Sequence, residues 1–132
     1  MKKAQWILGT VIFCALAQVC PAQESMDLRG TWSFRLDDEK VGERERWFEK
    51  DLEESISLPG STDEQGFGVR AIEPQRTRLT REYRYVGPAW YQKTIEVPES
   101  WQGKYVELFL ERAMWETRVW LDDHFIGSAE SL

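Results

Sequence analysis

The stretch "TWSFRLD", residues 31–37, decides the fold. Trp32, Phe34 and Leu36 fall on one side of a two-residue repeat, and Ser33, Arg35 and Asp37 fall on the other. A helix would need apolar residues three and four apart. Strict alternation makes a half-buried β-strand instead.

Working outward, the same beat recurs. "SISLPG" (residues 55–60) is a shorter strand ended by Pro59-Gly60. "AWYQKTIEV" (89–97) alternates, with Tyr91, Ile95 and Val97 on a shared face. "YVELFLE" (105–111) carries Val106, Leu108 and Leu110 on one side and Tyr105 and Phe109 on the other. Apolar on both faces, it is expected to be an inner strand. "TRVWL" (117–121) and "HFIG" (124–127) flank Asp122-Asp123, the signature of a tight hairpin. Aspartate accepts positive φ less readily than glycine or asparagine, so that turn is expected to be strained or longer than two residues.

Two long polar loops separate these runs. Residues 37–54 have room for one helical turn near Trp47. Residues 61–84 form a loop long enough to suggest a functional role. The sum is an all-β, antiparallel sandwich of about six strands, most simply a jelly roll, a fold that wants about eight. The last strands are expected beyond Leu132, as though this were the front end of a longer protein.

The first residues read as a targeting segment. "MKK" is a basic start, and residues 6–17 are a 12-residue apolar run. Cys20 and Ala22 stand where signal peptidase wants small residues. Residues 1–22 are therefore expected to be a signal peptide, helical and cut after Ala22, too short for a comfortable membrane span. An uncleaved N-terminal anchor is the alternative. Lipidation at Cys20 is disfavoured by Gln18 and Val19 just before it. Both cysteines, Cys14 and Cys20, lie in the leader, so the exported remainder would fold without a disulfide. The expected destination is the periplasm or the exterior.

Residues 23–132 make one domain of 110 residues. The net charge of −6 becomes −8 once Lys2 and Lys3 leave. Such a chain repels nucleic acid and suits neutral or weakly charged ligands. Single His124 has no histidine or cysteine at ligand spacing, so no metal site is expected and no cofactor is implied. Asp37 to Glu39 could bind calcium through oxygens, but a solvated turn is the better reading.

The blocks "GTWSFRLD", "ISLPG", "GPAWYQKTIEVPESWQGKYVELFLE" and "VWLDDHFIG", in that order and spacing, resemble the N-terminal sugar-binding jelly roll of glycoside hydrolase family 2. That family holds β-galactosidases, β-glucuronidases and β-mannosidases. The resemblance runs from about Leu28 to Leu132. It implies a galactose-binding-like sandwich followed elsewhere by an immunoglobulin-like sandwich and a (β/α)₈ barrel. It also implies that both catalytic glutamates sit in that barrel, the acid/base one after an asparagine. This chain has no asparagine. Its adjacent carboxylates, Asp37-Asp38, Glu53-Glu54 and Asp122-Asp123, point to opposite faces in any strand, so they cannot flank one glycosidic bond about 5–5.5 Å apart. They read as solvated loop and turn acids. No catalytic residue is expected here.

Candidate binding residues follow partly from the resemblance. It implies that Arg84 and Tyr85, ending the long loop, approach the barrel mouth near the terminal-sugar subsite. The family usually has Asn-Gly where Asp122-Asp123 stand. Its galactosidase branch has an acidic sugar or metal contact soon after, where this chain has Ser131, which argues against a galactosidase-style contact. From the residues themselves, Trp115 in "RAMWET" is the ring most exposed to ligand. It lies between two strands at the sandwich rim, where such folds place binding groups. Glu116 beside it could accept hydrogen bonds from hydroxyls, although an ordinary exposed glutamate reads as well.

The other tryptophans favour the core. Burying one large aromatic removes roughly 150–250 Å² from water, worth about 4–6 kcal/mol as an upper bound. A disulfide-free domain needs that contribution from Trp32 and Trp90. Tyr91 and Trp90 point to opposite faces and cannot form one platform. Trp101 is expected to cap the sandwich edge, and Trp120 to face outward or to lie under a second layer. The expected partners are carbohydrate and the downstream domains, with no nucleic acid and no stable membrane span after cleavage. The competing class is a stand-alone carbohydrate-binding module, and a third is a periplasmic β-domain that binds protein.

Overall fold

The computed structural model describes residues 24–72 and 81–131, and Ser131 through its backbone. The signal-peptide segment 1–22, and residues 73–80 of the long loop, lie outside the described residues. The described chain is all-β, with antiparallel sheets and two short 3₁₀ turns.

Three strands form the central sheet, in the order β2–β1–β5: β1 is Gly30–Leu36, β2 is Glu54–Leu58 and β5 is Ala89–Gln92. The alternation of residues 31–37 holds. Cross-strand partners share a face, so register sorts the side chains. Trp32 pairs with Ile56, and Phe34 with Tyr91. Phe34 is 0% exposed, and its ring meets Phe67 at 4.5 Å and Tyr91 at 5.0 Å. On the opposite face Arg35 pairs with Trp90. Trp90 packs there against buried Val41, Trp47 and Leu52. The sheet is thus covered by a small aromatic cluster on each side. Trp32 is half-buried, its indole N–H donating to the Leu28 carbonyl at 2.9 Å.

Two further pairs complete the elements. β3 (Val69–Arg70) and β4 (Tyr83–Arg84) form a minimal ribbon inside the loop expected to be irregular. β6 (Trp115–Leu121) and β7 (His124–Ser131) form the expected hairpin. Its turn is the two-residue kind: Leu121 pairs with His124, and Asp122 takes a left-handed φ of 53°. A bulge follows, since Val119 faces Gly127 while Trp120 faces Phe125. The helical turn near Trp47 is present as the 3₁₀ segment Trp47–Glu49.

Three expectations are corrected. The strand read over 89–97 stops at Gln92: its pairing with β1 ends at Ser33, the remaining β1 residues Gly30–Trp32 pair only with β2, and Ile95 and Val97 turn out to solvent. Residues 105–111 are not an inner strand. No described strand pairs with them, and Tyr105 (90%) and Phe109 (78%) lie open to solvent. Asp37 is not a solvated turn acid but a buried one, 3% exposed. Among the described residues no helix is long and apolar enough to cross a membrane.

Candidate functional site

The five sequence candidates divide into two groups. Trp115, Glu116 and Ser131 come together at the open end of the β6–β7 hairpin: Trp115 is the register partner of Ser131, and Glu116 of Glu130. Trp115 is 70% exposed. Its backbone is left-handed, φ 66°, as is that of Arg112 at φ 55°. Left-handed residues with a side chain cost about 1 kcal/mol or more each, and such conformations gather at ligand-contacting segments. Trp115 thus presents an exposed indole on a constrained backbone at the open end of the hairpin. Glu116 is ion-paired to Arg118 at 2.6 Å, which orients its carboxylate.

Arg84 and Tyr85 are not part of that rim by pairing. Arg84 is exposed on β4, opposite Val69. Tyr85 is half-buried and its hydroxyl is engaged twice. It accepts a hydrogen bond from the Asp37 N–H at 3.1 Å and donates to the Pro88 carbonyl at 2.6 Å. Burial pushes the phenol above its ordinary pKa, so it stays neutral and able to donate.

That hydroxyl leads to the group missed from the sequence, Asp37. Its carboxylate folds back over the turn and accepts from the amides of Val41 and Gly42, both at 2.8 Å, and from the Trp90 indole at 3.1 Å. Burial opposes ionisation here. The Gly42 and Val41 amides, the indole and nearby Arg35 outweigh it and hold the carboxyl below its usual range. Gly42 is obligatory at this point. A Cβ there would sit 2.5 Å from Trp90 Cε2, nearer still to Nε1, and 2.8 Å from Asp37 Oδ2. The only hint in the sequence was a glycine five residues after an aspartate, too common a spacing to single out.

From Trp90 a ladder of rings runs to the hairpin. Trp90 lies 6.3 Å from Trp47, 6.3 Å from Phe48 and 5.1 Å from Trp120. Phe48 and Trp120 stack nearly parallel at 5.5 Å, and Trp120 meets Phe125 at 5.3 Å. The expected second layer over Trp120 is therefore this loop. Arg35 caps the ladder, its guanidinium 4.0 Å over the Trp47 ring.

Other polar features are less suited to a sugar. An open cleft of about 350 Å³ is lined by Arg35, Leu36, Asp38, Glu53 and Glu54, without an aromatic ring to stack on. His124 pairs with Asp123 in the hairpin turn. Among the described residues no group of three or more His, Cys, Asp or Glu is placed to hold a metal ion.

Comparison with known proteins adds a second line. The profile of the glycosyl hydrolases family 2 sugar binding domain matches residues 25–131. The chain is similar to a beta-glucuronidase of Paenibacillus borealis, 29% identical over 106 residues, covering 80% of this chain and 16% of that protein. It is also similar to the beta-glucuronidases of Felis catus (26% over 121 residues, 83% and 17% covered) and Homo sapiens (29% over 93 residues, 64% and 12%). It thus spans less than a fifth of the length of these relatives. No solved structure matches.

Proposed function

The chain belongs to the sugar-binding-domain family of the family 2 glycosyl hydrolases, and from that premise we propose that it serves as the non-catalytic, sugar-recognising domain of an exported glycoside hydrolase. The family match over residues 25–131 carries the reading. In this reading the described sheets are part of a jelly-roll sandwich, residues 23–132 form the mature domain, and residues 1–22 direct export and are removed. The similar relatives are beta-glucuronidases, which favours a β-linked glucuronide as the terminal sugar.

The division of labour follows from chemistry. Glycoside hydrolysis needs two carboxyls set across the scissile bond, one of them able to donate a proton. Asp37 is buried and its carboxylate already accepts from three N–H donors. Glu116 is tied to Arg118, and Asp123 to His124. These groups can orient a sugar or hold the fold, and the acid and the nucleophile would come from another domain. Trp115 would stack on the sugar face, Glu116 would accept from its hydroxyls, and the apolar 105–111 segment would pack against the catalytic domain.

The test is turnover of a panel of aryl β-glycosides by the polypeptide that carries this chain, beside the isolated chain. The expected result is β-glucuronide cleavage by the former and none by the latter. Preference for a β-galactoside or β-mannoside would change the sugar and keep the role. Cleavage by the isolated chain would overturn it. Saturable oligosaccharide binding with no hydrolysis in any context would establish a stand-alone binding module instead. N-terminal sequencing of the exported product, expected to begin at Gln23, checks the leader.

A further inference from the structure

We propose that Asp37 is a positioning residue for the Trp115–Glu116–Ser131 rim, fixing the berth on which the β6–β7 hairpin docks. The rim's role in sugar contact rests on the function proposed above, but the docking is read without any sugar.

The hairpin shares no backbone pairing with the three-stranded sheet. Side chains join it to the loop and to β5: Trp120 packs on Phe48 and Trp90, and Arg118 pairs with Glu43 at 2.6 Å. Each of those partners is rooted in Asp37. Trp90 is bonded to its carboxylate directly. Glu43 follows Gly42, whose amide the carboxylate holds. Phe48 follows Trp47, whose N–H donates to the Gly42 carbonyl at 2.8 Å. One carboxylate therefore sets ring, ion-pair partner and stacking partner together. The rim lies five residues along β6 from Trp120, about 17 Å away at strand rise, so a small tilt at the berth becomes a large displacement at Trp115.

Protonating Asp37 removes the charge that three N–H groups share. The charged and titratable groups around it are Arg35 from β1, which favours the carboxylate, Asp38 in the turn, and Tyr85, neutral throughout the acid range. Glu43 also faces the hairpin, through Arg118.

The experiment is fluorine NMR on the full chain labelled with 5-fluorotryptophan, with Trp90, Trp120 and Trp32 assigned by single Trp→Phe replacements and titrated from neutral pH into acid. Trp32 is the control, since its indole donates to a carbonyl. The expected result is that Trp90 and Trp120 shift with one midpoint below the ordinary carboxylate range, before Trp32 moves, and still do so in Glu43→Gln. In Asp37→Asn the Trp120 signal is already displaced at neutral pH and no longer titrates. A Trp120 signal that stays put while Trp90 titrates overturns the proposal. So does a common midpoint for all three rings, which would be global unfolding, or loss of the coupled shift in Glu43→Gln. The wild-type curve decides even if Asp37→Asn fails to fold. If the coupled shift appears but the rim binds no sugar, only the functional reading falls.

Discussion

Residues 31–37 and residues 105–111 share one hydrophobic rhythm and have opposite fates. The first is paired along both edges, to β2 and to β5, and its Phe34 is sealed between rings. The second has no described strand beside it, and its five large apolar side chains are exposed. Alternation says which side chains want cover. It does not say what supplies the cover, because alternation is a local pattern and the covering surface comes from elsewhere in the chain. A segment with the pattern of an inner strand and no neighbour among the described residues leaves its apolar side chains uncovered.

The contrast can be broken most directly by paired truncations. Phe34→Ala is expected to cost about 3–5 kcal/mol, read from the urea midpoint. Phe109→Ala should stay within about 0.5 kcal/mol. Equal losses would mean that residues 105–111 are buried in solution.

The next largest effect tests the loop that covers the other face of the sheet. Gly42→Ala places a methyl group against Trp90 and the Asp37 carboxylate, and overpacking of this kind costs about 1–3 kcal/mol. Tryptophan emission should change with it. A neutral Gly42→Ala would show that loop and indole separate easily, which would make this region as open as the apolar segment.

A smaller effect is expected from acid. The folded-state pKa of Asp37 lies below its ordinary 3.8, so its contribution is fully present above that value. It fades as pH falls from there through the lower folded-state pKa. Urea titrations in this window should show wild type losing more stability than Asp37→Asn, which starts lower and changes less. A contribution growing with acid would reverse the sign and remove the carboxylate from its role.

The smallest effect belongs to the Arg118–Glu43 pair. Both side chains are about half exposed, and Glu43→Gln should cost about 0.2–1 kcal/mol, shrinking further in high salt. A larger, salt-independent loss would mean that the ion pair, rather than the stacked rings, carries the hairpin.

How much of this was legible in the sequence depended on the range of each interaction. β1, β2 and the hairpin could be read because period-two patterning and a two-residue turn are local signals. The β3–β4 ribbon was not, since two-residue strands leave no pattern. Trp115 was nameable from its place between strands and Glu116 as its neighbour, while Ser131 came only through the family resemblance. That the structure pairs Trp115 with Ser131 while spending Tyr85 on Asp37 and Pro88 was not, because register and hydroxyl partners are long-range facts.

The sequence by itself determined that this chain makes antiparallel β-structure with two-sided aromatic demand, because a strand's faces are written in alternate residues. Only the tertiary structure decided which aromatics met one another. Trp90 and Trp120, with similar local prospects, became a ladder through Phe48, while Tyr105 and Phe109 stayed outside. The physical reason is that burial needs a second surface. Here that surface is loop 37–49, pinned by a buried aspartate whose three hydrogen bonds exist only once the chain has folded back on itself.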